Sequence, residues 1–111
     1  SPGTTLEIGW HLFGESYHRG ALLVKMRQEL ARVGLTESTE LPDHLTHALE
    51  LLDRLDPATA DAFADACVLP AVEKILQGLR ATESSYSPVI QALARRIAGR
   101  HSLDSQEACH G

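Results

Sequence analysis

Apolar positions along the chain recur at helical spacing, and most of these runs are bounded by residues suited to helix ends. Leu6, Trp10 and Phe13 repeat at i, i+4 and i+7. They follow Thr4, which is spaced from Glu7 as in a capping box. Gly14 predicts the end of this first helix. Gly9, inside it, costs about 1 kcal/mol against alanine and suits a place where another backbone comes close. A second helix is expected from Ser16 to Val33, with Leu22, Met26, Leu30 and Val33 on its inner face and Gly34 as the left-handed stop. Leu35–Leu41 reads as a connector, and Leu41, preceding a proline, favours extended backbone.

Pro42 suits the first position of a third helix, which would place Asp43 in the first turn, where the helix dipole favours a carboxylate. Leu45, Ala48, Leu49, Leu52 and Leu55 give its inner stripe, with His44 and His47 on another, solvated face. Asp56-Pro57 combines an N-cap with a proline at the next position, and helical period then runs from Phe63 to about Ala81. Pro70 interrupts that run. It predicts either a kinked helix or two helices meeting at Leu69–Pro70. Ser87-Pro88 opens a last helix carrying Val89, Leu93 and Ile97 as far as Gly99, and His101–Gly111 reads as a frayed, flexible polar tail. No stretch alternates with period two for long. The expected fold is all-α, a bundle of five to six helices forming one domain over residues 1–100.

Composition sharpens this picture. The 111 residues allow one modest core, built from aliphatic side chains because hydrophobic content is 43% but aromatic content only 5%. Fifteen acidic against ten basic residues leave a formal charge of −5, which argues against non-specific nucleic-acid binding. Cys67 and Cys109 make no disulfide framework, so a reduced, intracellular setting is expected. No apolar run has the length of a membrane span, and the start at Ser1-Pro2-Gly3 looks like that of a trimmed, longer protein.

Candidate chemistry is thin. Glu15-Ser16-Tyr17-His18 and Glu107-Ala108-Cys109-His110 both spell Glu-x-x-His, the element from which di-iron sites are built in helical bundles, yet the second copy lies in the tail. Asp43, His44 and His47 fall short of a recognisable zinc cluster, and Cys67 among apolar neighbours reads as an inert core thiol. Glycine-rich phosphate loops are absent. The residues alone describe a helical bundle with no catalytic residue, no resident metal and no cofactor. Its alternatives are a metal- or cofactor-binding bundle and a helical adaptor that mediates oligomers.

Three stretches carry a resemblance. Gly14-Glu15-Ser16-Tyr17-His18-Arg19-Gly20-Ala21-Leu22-Leu23 resembles the Gly-Asp-Thr-Arg-x-Arg-Gly-x-x-Leu-Leu stretch of nitrate reductase delta-subunit chaperones. Glu40-Leu41-Pro42-Asp43-His44-Leu45 is similar to the Glu/Gln-x-Pro-Asp-His/Phe-Leu signature of the redox-enzyme maturation (TorD/NarJ-type) chaperones, and Ser85-Tyr86-Ser87-Pro88-Val89 to their late Ser-x-Tyr-x-x-Val segment. Order and spacing also agree, over roughly residues 5–98. The resemblance implies an all-helical cytoplasmic chaperone without turnover. Such a chaperone binds the apo catalytic subunit of a molybdenum oxidoreductase, often at its N-terminal leader, until the molybdopterin cofactor is inserted. It implies client binding by Glu40, Leu41, Pro42, Asp43 and His44, joined by Tyr17 and Arg19 and assisted by an acidic surface. Trp10 and Phe13 are further apolar candidates, expected mainly in the core. Tyr17 stands where the nitrate reductase pattern has arginine, which favours a client elsewhere in the dimethyl sulfoxide reductase class. The family is also about twice this length. The chain is therefore expected to be a C-terminal part, its missing half supplied by further sequence, dimerisation or domain swapping.

Overall fold

The computed structural model describes residues 5–81 and 87–110, without the side chains of residue 87 and residues 101–110. Within them the chain is all-α: α1 (Ile8–Phe13), α2 (Tyr17–Arg32), α3 (Leu45–Arg54), α4 (Pro57–Phe63), α5 (Leu69–Ala81) and α6 (Ser87–His110). A π-helical turn, Ala64–Val68, joins α4 to α5, so that residues 57–81 form one unbroken rod.

That rod is the centre of the molecule. Val68, Ala71, Val72 and Ile75 are all fully buried on it. Helices α1 and α6 pack on α5, while α3 packs on α4 and on α2. The continuity of the rod resolves the question raised by Pro70. A proline inside a helix lacks the N–H that would bond four residues back, and its ring crowds that carbonyl. Here the turn just before it is widened: the Leu69 N–H donates to the Ala64 carbonyl, five residues back. The extra residue in the turn lets the helix pass the proline without ending.

Helix ends follow local chemistry in two places. The Asp56 side chain accepts from the Thr59 N–H at 3.0 Å with Pro57 at the first helical position, as the sequence indicates. At the end of α2, the Leu35 N–H reaches the Leu30 carbonyl (2.8 Å) and the Gly34 N–H reaches that of Ala31 (3.1 Å), with Gly34 at φ 79°. This pair of bonds is a Schellman motif, and it needs the left-handed residue that glycine supplies.

Elsewhere the boundaries move. α1 begins only at Ile8, because the chain at residues 6 and 7 first runs extended. The Ile8 N–H donates to the Asp43 carbonyl and the Leu45 N–H to the Leu6 carbonyl, both at 2.8 Å, around a single antiparallel bridge between Glu7 and His44. The proposed cap Thr4 lies outside the described residues. α1 therefore buries Ile8 and Gly9, while Trp10 is half-buried and Phe13 is exposed, contrary to the core positions expected for those two. α3 begins at Leu45, three residues later than Pro42 suggests, and its inner face holds Leu51 and His47 as well as Leu45, Ala48 and Leu52. In α6 the buried positions are Ile90 and Ile97, with Leu93 half-buried, whereas Val89 faces out. The α6 backbone stays helical through His110 instead of ending at Gly99. Gly99 has no positive φ, and no proline follows to stop the helix. Ser85 and Tyr86 lie outside the described residues.

Candidate functional site

The Glu40–Leu45 string forms a tight turn and not a helix start. The His44 N–H donates to the Leu41 carbonyl at 3.0 Å, with Pro42 and Asp43 at the two central positions. Proline is favoured at the first of these because its ring presets φ. His44 becomes the N-cap of α3: its Nδ1 accepts from the Thr46 N–H at 3.2 Å, the task usually given to serine or aspartate. Pro42 is thus a turn residue, and Asp43 precedes the helix entirely.

The turn buries Asp43 completely. Its Oδ2 accepts from the Gly9 N–H at 3.1 Å and from the Arg19 Nε at 3.2 Å. Gly9 explains itself at this point. A Cβ there would lie 2.4 Å from Oδ2, so the close approach anticipated at this glycine is made by a carboxylate. Asp43 Oδ1 is also buried and has no hydrogen-bond partner among the described residues. Because an unpaired buried carboxylate is costly, Arg19 and Gly9 together decide whether this turn can exist. Arg19 keeps 19% of its side chain exposed, and Asp43 none. Asp43, expected among the client-binding residues, is thus entirely covered by the chain itself. Asp43 acts as a latch.

His47 holds the other side of the turn. It is buried to 1% exposure, in contrast to the solvated helix face expected of it. Its Nδ1 lies 2.8 Å from the Leu41 carbonyl, and its Nε2 lies 3.1 Å from the Ser38 backbone N–H. A carbonyl only accepts and a backbone N–H only donates, so the proton sits on Nδ1 and Nε2 accepts. The ring therefore closes the connector onto α3.

The turn displays exposed Glu40 and Leu41 and half-buried His44, with Pro42 inside. Across the latch, Arg19 belongs to the first turn of α2, which exposes apolar side chains at Tyr17, Ala21 and Val24. Tyr17 is 86% exposed, Val24 59% and Phe13 42%, with Ala21 also exposed between Tyr17 and Val24. The His18 ring stands 5.8 Å from that of Phe13 and 6.0 Å from that of Tyr17, forming an exposed aromatic corner where α1 meets α2. A shallow groove continues from Tyr17 past Gly20 and Val24 to Gln28. The seven candidate residues thus fall into two groups: Pro42, Asp43 and Arg19 build the frame, while Tyr17, Glu40, Leu41 and His44 reach the surface.

The electrostatic expectation shifts as well. α2 carries Arg19, Lys25, Arg27 and Arg32 against Glu29, so the face beside the aromatic corner is not acidic. The acidic groups gather instead between α3 and the π turn, at Glu50, Asp53, Asp56, Asp61 and Asp65. Among the described residues no group of three or more His, Cys, Asp or Glu side chains is placed to hold a metal ion. Glu15 and His18 are exposed, and the side chains of Glu107, Cys109 and His110 lie outside the described residues. Cys67 is half-buried, and burial pushes its thiol pKa up, which disfavours the reactive thiolate. Among the described residues no helix is long and apolar enough to cross a membrane.

The close approach at Gly9 was legible in the sequence, but its partner, the Asp43 carboxylate, was not. The role of His47 was missed: it was read as an exposed helix-face histidine when it is buried against backbone groups of Leu41 and Ser38. The chain matches no protein-family model, no curated protein and no solved structure.

Proposed function

We propose that this chain is a binding chaperone for assembly of a molybdenum-containing oxidoreductase, engaging the apo catalytic subunit or its N-terminal leader until the cofactor is inserted. The observation that carries this reading is the Arg19–Asp43 ion pair. It joins two of the three stretches on which the resemblance to redox-enzyme maturation chaperones rests, and each is what the other needs to hold its shape. The frame sets an apolar, aromatic corner in water. An exposed apolar surface with Tyr17 and Phe13 at its centre suits the uptake of an amphipathic segment, whose apolar face would cover it. Binding of this kind requires no catalytic group.

Tyr17, with Phe13 and Val24, makes the client contact, and Glu40, Leu41 and His44 border it from the turn. Asp43 and Arg19 act by positioning. Affinity capture with the purified chain from its source cells is the direct test. Recovery of a large molybdoenzyme catalytic subunit in its cofactor-free form, lost with Tyr17→Ala, supports the reading. Recovery of only the cofactor-loaded enzyme, or of no such subunit, contradicts it.

A further inference from the structure

A second feature lies away from the latch. Between α2, α3, α4 and the π turn is a pit of about 320 Å³. Its walls are Leu22, Met26, Leu51, Leu55, Phe63 and Cys67, and no polar surface is exposed within it. Sites for small molecules are typically largely apolar and of about 300–1,000 Å³. Lys25, Glu29 and Thr59 also border it. Glu29 is engaged by Arg32, three residues on. Lys25 is exposed and has no ion-pair partner among the described residues, so an unneutralised cation borders an apolar pit.

We propose that this pit binds a small amphiphilic monocarboxylate, its aliphatic body inside and its carboxylate on Lys25. The apolar body is required by the walls, where any polar group would be buried without a partner. The negative head follows from Lys25. A compact molecule fits better than a helix, because about 320 Å³ lies at the lower end of the range for small-molecule sites, whereas a docking helix needs a groove long enough for anchors at i, i+3 or i+4 and i+7. The pit is independent of the aromatic corner, although Lys25 stands between the two surfaces and borders both.

Decanoate and its neutral counterpart decanol, titrated into the full chain and followed by calorimetry and by amide NMR shifts, test this. Decanoate is expected to bind saturably at one site. Lys25→Ala weakens decanoate by about three- to fivefold, the scale of an exposed ion pair, and leaves decanol unchanged. Ala62→Phe, at an exposed position lining the pit, fills it and abolishes both; circular dichroism confirms that this variant is folded. Decanoate also slows maleimide alkylation of Cys67 in a Cys109→Ser background. Absence of saturable binding, or binding indifferent to Ala62→Phe, overturns the proposal. So does protection of Cys67 by a client leader peptide but not by decanoate, which would make the pit a protein-docking site.

Discussion

Arg19 and Asp43, 24 residues apart in sequence, meet with Nε 3.2 Å from Oδ2, and the carboxylate is entirely buried while the arginine side chain stays partly exposed. The pair connects the first turn of α2 to the turn ahead of α3, and through the Gly9 N–H it also ties down α1. Three elements therefore depend on one carboxylate.

Removing either partner should be expensive. Breaking a buried pair at one side costs about 3–5 kcal/mol, and the partial exposure of Arg19 lowers the expectation to about 2–4 kcal/mol for Asp43→Ala. Arg19→Met should cost at least as much, because it strands a buried carboxylate with only the Gly9 N–H. Denaturant unfolding of the two variants measures this; a loss below about 0.5 kcal/mol in both would show that the latch carries no weight.

Gly9→Ala tests the same contact from the other side. On helix propensity alone alanine gains about 1 kcal/mol. The methyl would, however, stand 2.4 Å from Asp43 Oδ2, so net destabilisation of about 1–3 kcal/mol is expected. In an Asp43→Ala background the clash disappears and the substitution should become neutral or favourable. That reversal, read from a double-mutant cycle, separates steric conflict from a general effect on α1.

His47 offers a spectroscopic check. The contacts to the Leu41 carbonyl and the Ser38 N–H require the proton on Nδ1. Nitrogen-15 NMR of the imidazole should report a protonated Nδ1 and a bare Nε2, the minority tautomer of free histidine. His47→Phe leaves the Leu41 carbonyl and Ser38 N–H without this partner and should cost about 1–3 kcal/mol in denaturant unfolding.

Acid stability should depend on Asp56. The Thr59 side chain and backbone N–H, which hydrogen-bond its carboxylate, hold its pKa below the usual 3.8. A carboxylate depressed in the folded state contributes stability that is present above its unfolded value and disappears as pH falls through the folded one. The contribution is therefore in place above about pH 4 and lost below it. Asp56→Asn keeps an N-cap acceptor without the charge. Its unfolding free energy should show a shallower decline than wild type between about pH 5 and 2; parallel curves would remove Asp56 from the acid response.

The helices were legible in the sequence where side chain and backbone act within one turn. Asp56-Pro57 and Gly34 are examples, because a cap or a left-handed stop is decided by a few neighbouring residues. What failed were positions set from far away. Pro42 satisfies the rule for a first helical residue and the rule for a turn equally well, and the choice was made by Gly9 and Arg19, contacts that no local pattern contains. Pro70 left a kink or a break open, because the widened turn before it depends on the packing of the whole rod. In α6, Val89 and Ile90 are adjacent and both apolar, so one residue of phase, fixed by α5, decides which is buried. Of the candidate site, the string Glu40–Leu45 forms one tight turn, but its aspartate was read as a client-binding group when it is buried against Gly9 and Arg19.

The central claim is that the corner at Phe13 and Tyr17 receives an amphipathic client segment while Asp43 only frames it. Calorimetric titration of synthetic N-terminal leaders from molybdenum oxidoreductase catalytic subunits tests it most directly. At least one leader should bind saturably, with affinity reduced about tenfold or more by Phe13→Ala or Tyr17→Ala, as for residues at the centre of an interface, and little altered by added salt. Failure of every leader to bind, or binding unchanged by both substitutions, would contradict the account.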